Sequence, residues 1–328
     1  MKQSPAQASH FPLFERFPAL AKIPRVALCT LPSPVEPLTA IRNDLWIKRD
    51  DLDAPQCGGN KVRALEFLLG GLAQGDTVFT VGGTGSTHVL STALHARRVG
   101  VTTAALRWSH DMNATAERVS QRIEASFAGS RGKSNPLAAI VITRYRSLVA
   151  RGRYIAIGGS APLGILGHVN AALELAEQIS RGEMPMPSRV ILPLGSGGTT
   201  AGLLLGFAIA KLPIEVVGAR VGPRAFVNRM KVFSLVRKTA RLIRKLSGEE
   251  IPSVDRSRLR IVQTVYGGGY GRPLARASRA AKLLHDTTGI VLDETYSAKA
   301  WTAALEEPVS REGPILFWLT FDPSCLTS

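Results

Sequence analysis

The 328-residue chain has no run of about 18 apolar residues, which excludes a membrane-spanning helix. Its first twenty residues (MKQSPAQASHFPLFERFPAL) hold no apolar stretch of signal-peptide length, so a cytoplasmic protein is expected. Cysteine is scarce. Cys29, Cys57 and Cys325 are too few and too widely spaced for a disulfide framework or a zinc cluster, so reduced thiols and no metal site are expected. Internal repeats and long low-complexity linkers are absent as well. What remains is an ordinary globular composition: 45% hydrophobic residues rule out a disordered chain, and the length suggests about two domains.

Acidic residues are also in short supply, 25 against 41 Lys and Arg, for a net charge of +16. The excess is concentrated. From Arg220 to Arg260 there are twelve basic residues, opposed by Glu249, Glu250 and Asp255. Within that stretch Val232, Leu235, Val236, Ile243 and Leu246 fall near helical spacing, with bases on the other side. Such a helix can bind phosphates or an acidic surface. A core-packed helix with a solvated basic face explains it equally, and no recognition motif or aromatic stacking pattern accompanies it. A nucleic-acid partner is therefore disfavoured.

Strand-like apolar runs alternate with helical stretches along most of the chain. Strands are expected at Asp44–Arg49, Thr77–Val81, Val101–Arg107, Leu137–Thr143, Tyr154–Ile157, Arg189–Leu194, Ile214–Ala219 and Pro314–Thr320. Helices are expected from Asn60, over Ser86–Val99, Ala114–Phe127 and His168–Ser180, and from Thr199. The stretch Gly129–Asn135 reads as an exposed loop. This alternation is the signature of an α/β protein with mainly parallel sheets flanked by helices.

Glycine gathers where strands hand over to helices: CGGNK (Cys57–Lys61), GGTGSTH (Gly82–His88) and GSGGTTAG (Gly195–Gly202). In the last, a buried strand runs through Gly195, Ser196, Gly197, Gly198 and Thr199 into an apolar helix. Backbone N–H groups can converge on an anion there, the helix N-terminus adds partial positive charge, and the hydroxyls add donors. No Lys-Ser/Thr pair follows the glycines as in a nucleoside-triphosphate loop, and the last glycine of the dinucleotide fingerprint is missing. A plain helix-capping turn is the alternative. Lys61 lies near the start of a helix, where the dipole disfavours positive charge and burial lowers a lysine pKa further. A lysine so placed is suited to forming an imine with an aldehyde.

Read in order, these segments resemble the pyridoxal-phosphate enzymes of fold type II, and more narrowly the 1-aminocyclopropane-1-carboxylate deaminase and D-cysteine desulfhydrase family. LPSPVEPL, WIKRDDL and GGNKVRALEFLL are similar to that family's approach to its cofactor lysine, which falls on Lys61. GGTGSTH resembles its Gly-Gly-x-x-Ser-Asn loop, and IGGSAPLGILGHVNAALEL (Ile157–Leu175) its Gly-Gly-Ser segment. GSGGTTAG resembles its phosphate loop, GGGYGRP (Gly267–Pro273) its Gly-Tyr-Gly turn, and DETYSAKA (Asp293–Ala300) its Tyr-Thr/Glu-Gly-Lys-Ala segment. The likeness runs from about Phe14 to Thr320.

The resemblance implies a tryptophan synthase β-like fold of two open sheets, with a small domain at 54–165 inserted in a large one built from 1–53 and 166–328. It implies pyridoxal 5′-phosphate as cofactor, held by Lys61, which then serves as base and acid. Gly195 to Thr199 would bind the phosphate, with Asn60, Thr87, Ser297 and Thr320 also near the cofactor, Ser297 beside its ring nitrogen. Ser86, Tyr270 and Tyr296 would complete the catalytic set. Each has a structural alternative: Ser86 and Asn60 as helix caps, the tyrosines as packing aromatics. His88 and His168 are read as structural. The family's Asn is Thr87 here, its Gly is Ala298, and its C-terminal His-Thr-Gly-Gly is Leu319-Thr320-Phe321-Asp322.

The implied activity is an α,β-elimination from a small amino acid, D-cysteine foremost, releasing ammonia and a keto acid. β-Replacement, racemisation and aminocyclopropanecarboxylate ring opening are alternatives on the same scaffold, and the family implies a homodimer. From another class, a catalytically altered relative would bind nucleic acid or an acidic partner through residues 220–260.

Overall fold

The computed structural model describes residues 10–126, 130–131, 135–310 and 312–326. Its strands are β1 (Val35–Pro37), β2 (Leu45–Arg49), β3 (Thr77–Gly83), β4 (Thr102–Trp108), β5 (Ser130–Arg131), β6 (Arg153–Tyr154), β7 (Arg189–Leu194), β8 (Glu215–Arg220), β9 (Leu259–Val262) and β10 (Ile315–Leu319). Helices are α1 (Pro12–Arg16), α2 (Asn60–Leu68), α3 (Thr87–Arg98), α4 (Ala114–Ser126), α5 (Pro136–Val149), α6 (Pro162–Ser180), α7 (Gly198–Ile209), α8 (Arg229–Ser247), α9 (Ala275–Thr288) and α10 (Ser297–Glu306).

The strands form two sheets, a six-stranded one in the order β1-β2-β10-β7-β8-β9 and a four-stranded one in the order β5-β4-β3-β6. Every pairing is parallel except β1 with β2. Strands buried on both faces read as continuous apolar runs, and β10 (ILFWL) and β7 (RVILPL) do so because helices cover both sides. One large cluster of buried residues joins α6, α7 and α8 to one face of the larger sheet, and a second joins α9 and α10 to its other face. Helix α7 is apolar on nearly all sides because it is enclosed by α6, α8 and the sheet. Among the described residues, no helix is long and apolar enough to cross a membrane.

Most expected elements are present within a few residues, and three points differ. Leu137–Thr143 is not a strand but part of α5, started by Asn135, whose side chain accepts the Ala138 N–H, and by Pro136 at its first position. The strand at Tyr154–Ile157 shrinks to β6, because Ile157–Gly159 forms a 3₁₀ turn. Of the loop expected at Gly129–Asn135, Ser130 and Arg131 pair with Leu106 and Arg107, Asn135 caps α5, and the remainder lies outside the described residues.

The expectation of three reduced thiols is also corrected: Cys57 and Cys325 form a disulfide, leaving Cys29 free. A sequence separation of 268 disguises a short distance in space. Strand β10 ends beside the turn leading into α2, and the short C-terminal 3₁₀ helix Pro323–Leu326 folds back over it.

Candidate active site

Four strand ends and helix starts converge on one cavity of about 380 Å³. Lys61 enters from the first turn of α2. Gly59 precedes it at φ 134°, and a Cβ there would sit 2.3 Å from the Thr320 carbonyl oxygen, so only glycine lets the two segments touch. The Asn60 N–H then donates to that carbonyl at 3.1 Å. Lys61 is half-buried, and among the described residues no hydrogen bond or ion pair holds its amine. Burial pulls its pKa down to about 8, against a smaller upward pull from Asp293.

Opposite the lysine, β7 opens into Gly195–Thr199, all five of which line the cavity. Gly197 has left-handed backbone (φ 91°) and precedes α7, whose N-terminus carries no side-chain cap. The first N–H groups of that helix have no partner within it. Ser160 Oγ donates to Ser196 Oγ at 2.7 Å, and Asn60 Nδ2 donates to Thr199 Oγ1 at 2.8 Å, bracing the loop from both sides. Asn60 therefore does not cap its own helix.

The other wall is aromatic. The hydroxyls of Tyr270 and Tyr296 are hydrogen-bonded, with ring centroids 5.9 Å apart. Burial pushes the Tyr270 phenol up to about 12, more than the Tyr296 hydroxyl draws it down, and burial raises Tyr296 well above the ordinary range too. Both phenols thus keep their protons at neutral pH. Ser86 and Thr87 line the cavity where β3 hands over to α3, with Ser86 Oγ accepting the Val89 N–H at 3.4 Å as an N-cap. Thr320 and the bulky Phe321 complete the rim.

Ser297 is not on the wall. It is fully buried at the start of α10, its N–H donating to Asp293 Oδ2 at 2.9 Å. Its Oγ is buried with no hydrogen-bond partner among the described residues, whereas Thr320 lines the cavity. His88 lines the cavity, but its Nε2 is engaged by Thr80 Oγ1 at 2.9 Å, and burial together with Lys61 holds it down to about 3. His168 is buried behind Thr199, at 3.5 Å from its Oγ1.

Several lining residues carried no local signal in the sequence, namely Trp108, His110 and Phe226, and Lys231 was marked only as one base of the 220–260 stretch. His110 Nε2 accepts the Gly85 N–H at 3.1 Å, so its Nδ1 carries the proton and donates to the Asp111 carbonyl at 2.6 Å. The neutral ring meets Tyr270 edge-on at 4.7 Å. Also unforeseen is the buried charge cluster behind Lys61. Arg63, two residues along α2, pairs with Asp50 (2.7 Å) and Glu174 (2.9 Å), Lys48 pairs with Glu174 (2.6 Å), and Trp318 Nε1 donates to Asp50 (2.7 Å). Burial opposes ionisation of Glu174, yet Arg63 and Lys48 hold it down to about 2.

A partnerless amine in a partly apolar cavity, facing an uncapped helix start, is a set that suits an aromatic aldehyde with an anionic tail, so the residues present fit pyridoxal phosphate. The chain belongs to the pyridoxal-phosphate dependent enzymes, whose family model matches residues 26–320. Within them it falls in the fold type II group of aminocyclopropanecarboxylate deaminases and D-cysteine desulfhydrases. It is 36% identical to a nocardicin C-9′ epimerase of Nocardia uniformis subsp. tsuyamanensis, over 92% of this chain and 93% of that one. It is 32% identical to a D-cysteine desulfhydrase of Salmonella choleraesuis (strain SC-B67), over 91% and 94%. Among solved structures, an ACC deaminase homologue superposes with a TM-score of 0.78 at 26% identity, covering 97% of this chain and 96% of that one.

Proposed function

We propose that this enzyme removes the α-proton of a small amino acid and completes an α,β-elimination that releases ammonia and a keto acid, with D-cysteine or a related β-substituted amino acid as substrate. The observation that carries this reading is Lys61 Nζ, an unpartnered amine that lines the cavity from the first turn of α2, with its pKa brought to about 8. A group poised near neutrality is suited to taking and returning protons. When bound, pyridoxal phosphate supplies the electron sink that makes the α-hydrogen acidic.

The chain's own residues do the rest. Lys61 holds the cofactor and then shuttles the α-proton. Gly195 to Thr199, with α7, seat the phosphate, and Asn60 keeps Thr199 turned toward it. Thr87 and Thr320 bound the ring. Ser86 offers its hydroxyl over the substrate carboxylate. The Tyr270–Tyr296 pair, protonated at neutral pH, hands a proton to the departing β-substituent. Phe321 and Trp108 add apolar surface to the cavity wall.

A second reading, epimerisation, is favoured by the identity to the nocardicin epimerase, which exceeds that to the desulfhydrase quoted above. It uses the same first step and returns the proton to the opposite face of the same carbon. The large and small domains at 1–53 with 166–328 and at 54–165 are part of the proposal. So is a homodimer, for which the outward apolar side of α5 (Leu137, Val141, Tyr145, Leu148) is the surface to examine.

The test begins with colour. Purified protein should show an imine absorbance band that borohydride abolishes while fixing the cofactor on Lys61. D- and L-amino acids, with aminocyclopropanecarboxylate, are then incubated in heavy water and scored for ammonia, keto acid and α-deuterium. Ammonia with keto acid supports elimination, and α-deuterium with inverted configuration and no ammonia supports epimerisation. A colourless protein that takes up no pyridoxal phosphate overturns both.

A further inference from the structure

Lys231 stands apart from the other bases of the 220–260 stretch. Several of those are engaged within the fold: Arg220 stacks on Tyr266 at 4.6 Å, Arg229 donates to the Arg256 carbonyl at 2.6 Å, and Arg260 pairs with Glu215 and Glu307. Others, such as Arg237, Lys238 and Arg241, lie on the exposed side of α8 or at its margin. Lys231 is half-buried and lines the active-site cavity.

Its position is fixed from two sides. The Asn228 side chain accepts the Lys231 N–H at 2.9 Å and so sets the start of α8. The next residue, Val232, lies 3.3 Å from where a Cβ on Gly197 would be, which seats this first turn directly against the glycine loop. Among the described residues, no hydrogen bond or ion pair engages the Lys231 side chain, and no Asp, Glu or Arg lines the cavity. The lining lysines are Lys61 and Lys231. A partly buried ammonium without a counter-ion is costly, and an incoming anion relieves that cost.

We propose that Lys231 is the cation that meets the cofactor's phosphate beside the glycine loop, completing a cradle whose other donors are neutral N–H and hydroxyl groups. This rests on the reading of Lys61 as the cofactor lysine. Lys61 would be engaged at the aldehyde group of the cofactor, which leaves Lys231 as the other lining cation available to the phosphate. The phosphate, rather than an acidic substrate side chain, is favoured because the first turn of α8 touches the glycine loop itself.

The experiment compares apo-protein of wild type, Lys231→Gln and Lys231→Arg, titrated with pyridoxal 5′-phosphate and with pyridoxal, which has the aldehyde but no phosphate. Binding is read by imine absorbance, without turnover. K231Q should weaken pyridoxal phosphate roughly ten- to a hundredfold, the range for losing one charge-assisted hydrogen bond, and leave pyridoxal within about twofold. K231R should stay near wild type. Inorganic phosphate should raise the melting temperature of apo wild type and of K231R but not of K231Q.

Equal affinity of wild type and K231Q for pyridoxal phosphate overturns the proposal, as does a matching loss for both aldehydes. Unchanged cofactor affinity with KM raised only for acidic amino acids assigns Lys231 to substrate and overturns it as well. If K231Q does not fold, K231R decides, and loss of pyridoxal phosphate binding by K231R with pyridoxal retained overturns the charge argument. A wild type that binds neither aldehyde marks the failure of the Lys61 reading instead, and is distinguished by the absence of borohydride fixation.

Discussion

Asn60 Nδ2 donates to Thr199 Oγ1 at 2.8 Å, so the residue beside Lys61 grips the glycine loop 139 positions away. Both side chains are buried, and each leaves a polar atom stranded when the other is truncated. Asn60→Ala and Thr199→Val should each cost about 1–2 kcal/mol of stability. The double variant should cost less than the sum, with a coupling of about 0.5–3 kcal/mol in urea melts. Additive losses would show that the bond does not tie the two segments together.

Lys61 should set the pH dependence of cofactor capture. Only the free amine attacks an aldehyde, and its pKa lies near 8 rather than at the usual 10.5. The rate of pyridoxal phosphate uptake by apo-protein should rise about tenfold per pH unit below pH 8 and flatten above it. For stability the sign is positive with pH: between about 8 and 10.5 the unfolded chain binds more protons than the folded one, so the apo fold gains stability across that window. Below pH 8 the penalty of the charged amine is fully present. A rate still climbing at pH 10 would mark Lys61 as an ordinary solvated lysine.

What could be read from the sequence followed from how local each signal is. The glycine turns sit within a few residues of the strand and helix they join, so local spacing marks them as turns, while Lys61 is singled out only by the ordered set of motifs that resembles the family. Leu137–Thr143 failed because a short apolar run fits strand and helix equally, and the Asn135-Pro136 start signal was the informative feature. The charge cluster around Arg63 escaped because its members meet across as many as 126 positions, in the case of Lys48 and Glu174. His110 is a single polar residue whose neighbours carry no motif, and Lys231 is one base among twelve in a basic stretch, so only the fold shows that these two line the cavity. Ser297 has no local signal of its own and is named through an ordered motif; the first turn of α10 buries it, and its hydroxyl has no partner among the described residues.

The disulfide makes a prediction of its own. Thr320 and Phe321 line the cavity, the Asp322 N–H donates to the Gly58 carbonyl at 3.0 Å, and Cys325 then fastens to Cys57, three residues before Asn60. Reduction, or Cys325→Ser, should lower stability by about 2–4 kcal/mol and weaken cofactor binding in parallel, because the freed segment is part of the wall. A thiol reagent on unfolded protein should find one free cysteine before reduction and three after it. Three free thiols without reduction would show that the bond does not form in the cell that made the protein.

The last prediction concerns the buried charges beneath α2. Arg63 bonds Asp50 at the end of β2 and Glu174 on α6, and Lys48 on β2 bonds the same Glu174, so the helix bearing Lys61 is moored to two elements that are themselves tied together. Removing one member strands the others in a dry interior. Glu174→Gln should therefore cost about 3–5 kcal/mol, far more than an exposed ion pair. Replacing Lys48, Arg63 and Glu174 together by apolar residues of similar volume should recover much of that stability, because no uncompensated charge remains. Cofactor affinity should not recover in the triple variant, since α2 loses the bidentate grip that fixes its rotation. If stability and affinity return together, the cluster holds the fold without orienting Lys61.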